Sequence, residues 1–475
     1  MISKTNITGE NTADITLQYK YSERVRAILE TQMKDAGRRF LVYVLSFGCQ
    51  QNEADGERLL GTALTLGYEK TDDITRADLI IYNTCAVREH AELRALSKAG
   101  ELKRLKERNP YLLVGLWGCM VSQEHRVDDV KHRYPYVDFV AGTNMLHRLP
   151  EILCDVLENK RRRFYVDDAD YSVVEGIPVE RSHPFKAWLS IMYGCNNFCT
   201  YCVVPYVRGR ERSRSPEAVI AEAKLLIENG YKEITLLGQN VNSYAASDGT
   251  TFPSLLRQTA SFDGEYLVRF MTSHPKDVSD ELIEVIASNP HVAHHFHLPL
   301  QSGSSEILRR MNRKYDAEKY FATVEKLKKA IPDITLTTDI IVGFPGETEA
   351  DFEATLDMVK QVGYDSMYPF IYSPRKGTPA AVMDDPTSPE EKTERMARLL
   401  SLHRDIATNL NKQYIGKTVR VLCETPDGER SFFGHTSGAK GVRFKAPEGA
   451  ALFGKFVDVK IESAGDVYLE GTLVG

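Results

Sequence analysis

The sequence predicts an α/β protein in three parts: an N-terminal parallel-sheet α/β domain, a central partial (β/α)6 barrel and a C-terminal small OB-like β-barrel. Three observations predict it. Apolar strand-like runs alternate with helical stretches over most of the chain. The rhythm runs twice, once to residue 156 and again from Phe185. Roughly the last sixty residues then change to short β-rich runs broken by turn residues such as Pro426-Asp427-Gly428. Apolar strands separated by helices form parallel sheets, because parallel strands need a crossover.

In the first part, three strand-like runs each end at a cysteine: residues 41–48 at Cys49, 77–84 at Cys85 and 112–118 at Cys119. Helical stretches at 53–66 and 88–108 lie between them. The carboxyl ends of parallel strands form the ligand crevice of such sheets. Three cysteines at matching strand tips are therefore expected to converge on one site. Cys154, in a helical stretch, and Cys423, in a late strand, have no partner at ligand spacing and read as packing residues.

From Phe185, strands are expected at 187–192, 233–237, 267–272, 293–299, 335–342 and 366–372, with helices at 216–228, 279–288, 304–311, 317–330 and 349–362. Six such units make a partial barrel with its site at the strand carboxyl ends. There the run Gly194-Cys195-Asn196-Asn197-Phe198-Cys199-Thr200-Tyr201-Cys202 opens the first loop, with C-x3-C-x2-C spacing. Three thiolates do not close a tetrahedral zinc site. No histidine or further cysteine follows Cys202 for about forty residues. On a [4Fe-4S] cluster they leave one iron open. His295 and His297 alternate along a strand and share one face, which suits a polar lining better than a metal site. Residues 388–414 read as a charged helical connector. Five runs at 418–424, 431–435, 441–445, 456–462 and 467–473 give the strand count of a small barrel.

The 475 residues suffice for two to four domains, and 42% hydrophobic with 27% charged residues is a soluble composition. No run approaches the roughly 20 apolar residues of a membrane helix, and the N-terminus lacks a signal-peptide core. A cytoplasmic protein with no membrane partner is expected, with its eight cysteines serving as ligands or core rather than disulfides. The net charge of −6 argues against a broad nucleic-acid footprint, so RNA binding would need local basic patches. One such run is Arg208-Gly209-Arg210-Glu211-Arg212-Ser213-Arg214, equally readable as a solvated loop.

The cysteine run resembles the signature of the radical SAM enzymes. Further segments narrow the resemblance: Ser46-Phe47-Gly48-Cys49-Gln50-Gln51-Asn52, Asn83-Thr84-Cys85-Ala86-Val87-Arg88-Glu89, Gly238-Gln239-Asn240-Val241-Asn242-Ser243-Tyr244, Thr272-Ser273-His274-Pro275-Lys276, Leu298-Pro299-Leu300-Gln301-Ser302-Gly303, Met311-Asn312-Arg313-Lys314-Tyr315 and Tyr372-Ser373-Pro374-Arg375-Lys376-Gly377-Thr378-Pro379. Over residues 40–475 the chain is similar to the methylthiotransferases, radical SAM enzymes with an N-terminal cluster domain and a C-terminal TRAM domain. Within them it resembles those acting on isopentenylated adenosine in tRNA. One departure is Gln51, where the family usually has methionine; the neighbouring Cys49 is intact.

The resemblance implies a domain plan: a polar extension at 1–39, a methylthiotransferase N-terminal domain at 40–156, a radical SAM core at 181–411 and a TRAM domain at 412–475. It implies two [4Fe-4S] clusters, one on Cys195, Cys199 and Cys202 and one on Cys49, Cys85 and Cys119, with S-adenosyl-L-methionine (SAM) as radical source and methyl donor. The reaction implied is methylthiolation at C2 of isopentenyladenosine 37 in a tRNA anticodon stem-loop. The alternative is another tRNA adenosine of the threonylcarbamoyl type, or a ribosomal protein aspartate. An electron donor such as a flavodoxin and a monomeric state are also expected. Tyr201 is a candidate to pack on the SAM adenine, or is simply core. Gly343 would let SAM approach closely, or forms a turn. Gln239, Asn240, Ser273, His274, Gln301, Ser302, Arg313 and Asp339, at or near strand ends, are candidates for SAM or base recognition.

Overall fold

The structure, a computed structural model, describes residues 12–87, 89–166, 173–428 and 430–474. Arg88 of the Asn83–Glu89 segment and residues 1–11 of the expected extension lie outside the described residues. Packing divides the chain into two units. The first holds the chain to Ser182 with Tyr193–Asn196 and Val203–Arg214; the second holds His183–Met192, Asn197–Cys202 and Ser215–Gly475.

In the first unit, β1 (Leu41–Ser46), β2 (Glu69–Lys70), β3 (Leu79–Thr84), β4 (Leu113–Gly118), β5 (Phe139–Ala141) and β6 (Arg163–Tyr165) form one sheet, ordered β2-β1-β3-β4-β5-β6. Every pairing is parallel. Its helices are α1 (Thr12–Ala36), α2 (Gln50–Thr65), α3 (Glu89–Arg108), α4 (Glu124–Arg133) and α5 (Leu149–Asn159). Alternate side chains of β3 serve opposite faces, as the strand period requires. Leu79 and Ile81 pack with Leu59, Val25 and Leu153 of α2, α1 and α5. Ile80 and Tyr82 pack with Ala95, Leu102 and Val130 of α3 and α4.

The segment expected as a polar extension contains α1. In this charged helix Tyr21, Val25, Leu29 and Met33 recur every four residues and pack into the core. Gln18 donates to Glu151 at 3.2 Å, and Arg24 pairs with Glu158 at 2.5 Å.

In the second unit, β7 (Lys186–Ser190) leads toward the cysteine loop. Along the chain that loop is bordered by the two-residue strand β8 (Met192–Tyr193) and, belonging to the first unit, the short α6 (Val204–Val207) and β9 (Arg212–Ser213). The barrel strands that follow are β10 (Glu233–Leu237), β11 (Leu267–Phe270), β12 (His295–His297), β13 (Thr335–Val342) and β14 (Ser366–Ile371). They form two parallel sheets, β11-β10-β7 and β12-β13-β14, linked by a parallel bridge between Val268 and Val292. The order along the curve is that of a partial barrel. Helices α7 (Pro216–Glu228), α8 (Phe252–Thr259), α9 (Asp280–Ser288), α10 (Ser305–Arg310), α11 (Ala317–Ala330) and α12 (Glu349–Val362) lie between the strands, α10 and α11 both between β12 and β13. Ser215, Ser279, Ser304, Asp316 and Thr348 cap five of them, each accepting a first-turn N–H. Strands β11 and β12 are shorter than expected, and left-handed backbone follows each, at Thr272 (φ 71°) and Gln301 (φ 70°).

The helix α13 (Pro389–Lys412) is the expected connector. It leads to β15 (Thr418–Pro426), β16 (Ser431–Thr436), β17 (Gly441–Lys445), β18 (Phe456–Ala464) and β19 (Tyr468–Leu473), a closed barrel ordered β15-β16-β17-β19-β18. Cys423 lies in its core beside Val421, Val442 and Phe444. The β16–β17 turn abuts the amino ends of the core strands. Arg269 donates to the carbonyls of Ser437 (2.6 Å) and Thr436 (2.7 Å) and to Glu233 (2.6 Å). Lys440 reaches Asp365 at 2.7 Å. Burial alone would push Glu233 up, but Arg269 and Lys186 hold its pKa down to about 2.

Candidate active site

Adjacent strands in register bring the strand-tip cysteines together. Ser46 stands opposite Asn83, and Asn83 opposite Trp117. Cys85 and Cys119 each follow two residues later and Cys49 follows Ser46 by three. Neighbouring strands lie about 4.8 Å apart. Gly48 makes the approach possible: at φ 131°, an added Cβ would lie 2.3 Å from Cys85 Cβ. Asn83 and Asn52 lock the loop. Asn83 Nδ2 donates to Asn52 O (2.6 Å) and Asn52 Nδ2 donates to Thr84 O (2.8 Å).

N–H groups point at the sulfurs. The Val87 N–H donates to Cys85 Sγ at 3.4 Å, and Arg208 Nε donates to Cys119 Sγ at 3.2 Å. A hydrogen bond from Cys85 holds the Cys49 thiol below its ordinary range, while that bond pushes Cys85 up and burial raises Cys119. Among the described residues, no three His, Cys, Asp or Glu side chains meet as a ready ion site. The donor chemistry nevertheless fits an iron–sulfur cluster: sulfur only, level on three strands, with N–H donors aimed at it.

The arginine run divides in a way its composition conceals. Arg208 is buried against Asn52, Asp55 and Cys119. Arg214 is buried and pairs with Glu175 at 2.6 Å. Arg212 donates to the carbonyls of Arg208 and Arg210. Arg210 alone of the four is exposed. Asn52 and Asp55 are site neighbours to which the sequence assigned no role, and Arg208, read from the sequence as part of a basic patch or a solvated loop, is a third.

In the second unit, the Met311-Asn312-Arg313 segment grips the loop carrying Cys199 and Cys202. Thr200 N–H donates to Met311 O (3.0 Å), Asn312 Nδ2 donates to Phe198 O (2.9 Å), and Arg313 Nη1 donates to Cys199 Sγ (3.4 Å). Phe198 and Asn312 both have left-handed backbone. Tyr201 meets Phe344 edge-on at 6.4 Å, within a small apolar cluster.

Around the strand carboxyl ends, Gln239 Oε1, Asn240 Oδ1, Ser273 Oγ and His274 Nε2 are buried and make no hydrogen bond. Such atoms are costly unless a ligand satisfies them. Lys276 N–H donates to His274 Nδ1 at 3.2 Å, so the ring proton sits on Nε2. Burial, with Arg313 and Lys276 nearby, lowers His274 to about 2 and keeps it neutral. Gln301 bridges Ile340 through its backbone. Asp339 Oδ2 lies 3.5 Å from His297 Nε2. His295 and His297 do share a face: each ring contacts Thr337 Oγ1 at 3.0 Å.

Two candidates are engaged by local packing, Ser302 at a turn and Gly343 in the turn that was the second of its two readings. The Ser302 hydroxyl accepts from Ser304 N–H at 3.2 Å and lies 3.4 Å from Thr355 Oγ1 of α12, so it braces a turn. Gly343 N–H donates to Glu347 Oε2 at 2.8 Å, and the Lys392 side chain fills the space a Cβ would need. Gly343 therefore serves a packed turn.

Residues 189–359 match the Radical SAM superfamily, 41–142 the Uncharacterized protein family UPF0004, and 412–474 the TRAM domain. The tRNA-2-methylthio-N(6)-dimethylallyladenosine synthase of Acetivibrio thermocellus is 45% identical over 97% of this chain and 96% of its own. Those of Clostridium botulinum (48%; 90% and 96%) and Alkaliphilus oremlandii (47%; 96% and 97%) are similar. The chain belongs to the tRNA-2-methylthio-N(6)-dimethylallyladenosine synthase family. Its radical SAM domain makes it a radical SAM enzyme, a class that works with a [4Fe-4S] cluster and SAM. The fold of this synthase-family chain is shared with the radical S-adenosylmethionine methyltransferase TsrM of Kitasatospora setae, with TM-score 0.52 and 15% identity over 82% of this chain and 79% of that one. Among the described residues no helix is long and apolar enough to cross a membrane.

Proposed function

We propose that this chain transfers a methylthio group to C2 of N6-isopentenyladenosine 37 in tRNA. The observation that carries the reading is 45–48% identity, over 90% or more of the chain, to relatives that bear this activity in their name. Cys195, Cys199 and Cys202 would hold one [4Fe-4S] cluster with SAM at its open iron; Cys49, Cys85 and Cys119 would hold a second. Bound there, these groups would supply a 5′-deoxyadenosyl radical to take the unactivated C2 hydrogen, leaving as 5′-deoxyadenosine, and a methylthio sulfur to replace it.

The protein binds and orients. Arg313 steadies the Cys199 sulfur, and neutral His274 offers its Nε2–H as a donor. The unpaired Gln239, Asn240 and Ser273 atoms are suited to polar groups of SAM or the base. Gln301 and Asp339 are further candidates for polar contacts to SAM or the base, and Tyr201 for an apolar one. The tRNA would be met by local cations of the TRAM barrel, such as Arg443 stacked 4.6 Å from Tyr468. A flavodoxin-type electron donor, a monomeric state and a cytoplasmic location complete the proposal. Mass spectrometry of tRNA nucleosides from cells lacking and regaining the protein tests it. Restoration of the methylthio nucleoside is expected; unmodified isopentenyladenosine in both would refute it.

A further inference from the structure

We propose that Arg208 is a positioning residue of the strand-tip site, holding the Cys119 sulfur and raising the reduction potential of the cluster those cysteines carry. The inference rests on the two-cluster reading above.

Arg208 is 4% exposed. Its fork divides: Nη2 donates to Asp55 Oδ2 (2.8 Å) and Asn52 Oδ1 (2.9 Å), while Nε donates to Cys119 Sγ (3.2 Å). The segment that carries it is built into the first unit. Val203 and Val207 pack with Ala86 and Cys119, and Thr143 Oγ1 donates to Val207 O at 2.7 Å. Asn52 also donates to Thr84 O, one residue before Cys85, so the guanidinium is tied to the loops of all three cysteines.

Burying a guanidinium is costly, and it does not shed its proton. One carboxylate, Asp55, would balance it as a plain ion pair, yet a second donor is directed at sulfur. Hydrogen bonds to cluster sulfurs and nearby positive charge favour the reduced, more negative state. The one-electron couple is the only change invoked; no bond forms or breaks.

The test uses full-length protein with Cys195, Cys199 and Cys202 replaced by Ala, which leaves only the strand-tip cluster. Its iron content first checks the two-cluster reading. The cluster is then titrated with titanium(III) citrate and followed by EPR. Arg208→Gln should lower the reduced-to-oxidised ratio at fixed potential about tenfold, near 59 mV for one electron; Arg208→Lys should restore part of it. Asp55→Asn, which removes the opposing charge and keeps the N–H on sulfur, should shift the potential upward. It also gives an answer if Arg208→Gln does not hold iron. Potentials unchanged in the variants that retain iron would make Arg208 a structural ion-pair residue and overturn the inference. Absence of iron in the parent triple variant would overturn the two-cluster reading and this inference with it.

Discussion

Gly48 and Cys85 approach so closely that no side chain fits between them: a Cβ on residue 48 would lie 2.6 Å from Cys85 Sγ. The contact ties the Cys49 loop of one strand to the cysteine of the next. Gly48→Ala should therefore displace Cys49, also forcing a residue into left-handed backbone at about 1–3 kcal/mol. Purified protein should lose roughly half its iron while still forming 5′-deoxyadenosine from SAM. Full iron content would show that the loop adjusts freely.

The two cysteine sets should separate by substitution. Replacing Cys195, Cys199 and Cys202 by Ala should leave about half the iron and abolish 5′-deoxyadenosine formation. Replacing Cys49, Cys85 and Cys119 should leave SAM cleavage but no methylthio product. Iron analysis and nucleoside mass spectrometry read both, and a methylthio product from the second variant would assign the strand tips another role.

The TRAM barrel serves the core as well as any RNA. Arg269 is buried between Glu233 and the β16–β17 turn, so Arg269→Met would leave Glu233 buried and short of its main partner. A loss of about 3–5 kcal/mol is expected in denaturant unfolding. Deleting the chain from Lys417 should likewise lower thermal stability, so surface variants are the cleaner RNA test. Arg443→Ala should weaken tRNA binding and reduce its salt slope by roughly one phosphate contact, with SAM cleavage intact. An unchanged slope would take Arg443 out of the interface.

Buried neutral histidines make the second unit acid-sensitive. His274 is lowered to about 2 and His295 to about 3, burial being the main cause in each. Above pH 6.5 both are neutral folded or unfolded and contribute no pH slope. As pH falls below 6.5 the unfolded chain binds protons that the folded state refuses, so stability drops by about 1.4 kcal/mol per pH unit for each histidine. The loss continues toward the folded values. Thermal melts from pH 7 to 5 should show a flatter slope for His295→Gln; equal slopes would mean that His295 protonates in the folded protein.

The strand tips were legible because an apolar run that stops at a cysteine reveals both the element and its end. The five terminal strands were legible as short β-rich runs separated by turn residues. Arg208 was not, since Arg-Gly-Arg-Glu-Arg-Ser-Arg has the composition of a solvated loop and only long-range packing sorts its members. Ser302 carries no local mark of which way its hydroxyl turns. The helix α1 was hidden for a different reason: its apolar stripe is one residue wide per turn within a charged sequence, too narrow to stand out.

Because Ser46, Asn83 and Trp117 stand level across β1, β3 and β4, chain length is constrained on one side of this sheet and tolerant on the other. One residue deleted from β3 turns every later side chain of that strand to the opposite face, and Cys85 moves away from its neighbours. An insertion in the amino-end connection from α3 to β4, around Asn109–Leu112, leaves all three tips in place. Natural insertions and deletions among relatives should therefore gather at the amino-end turns of this unit, with none between Asn83 and Cys85 or between Trp117 and Cys119.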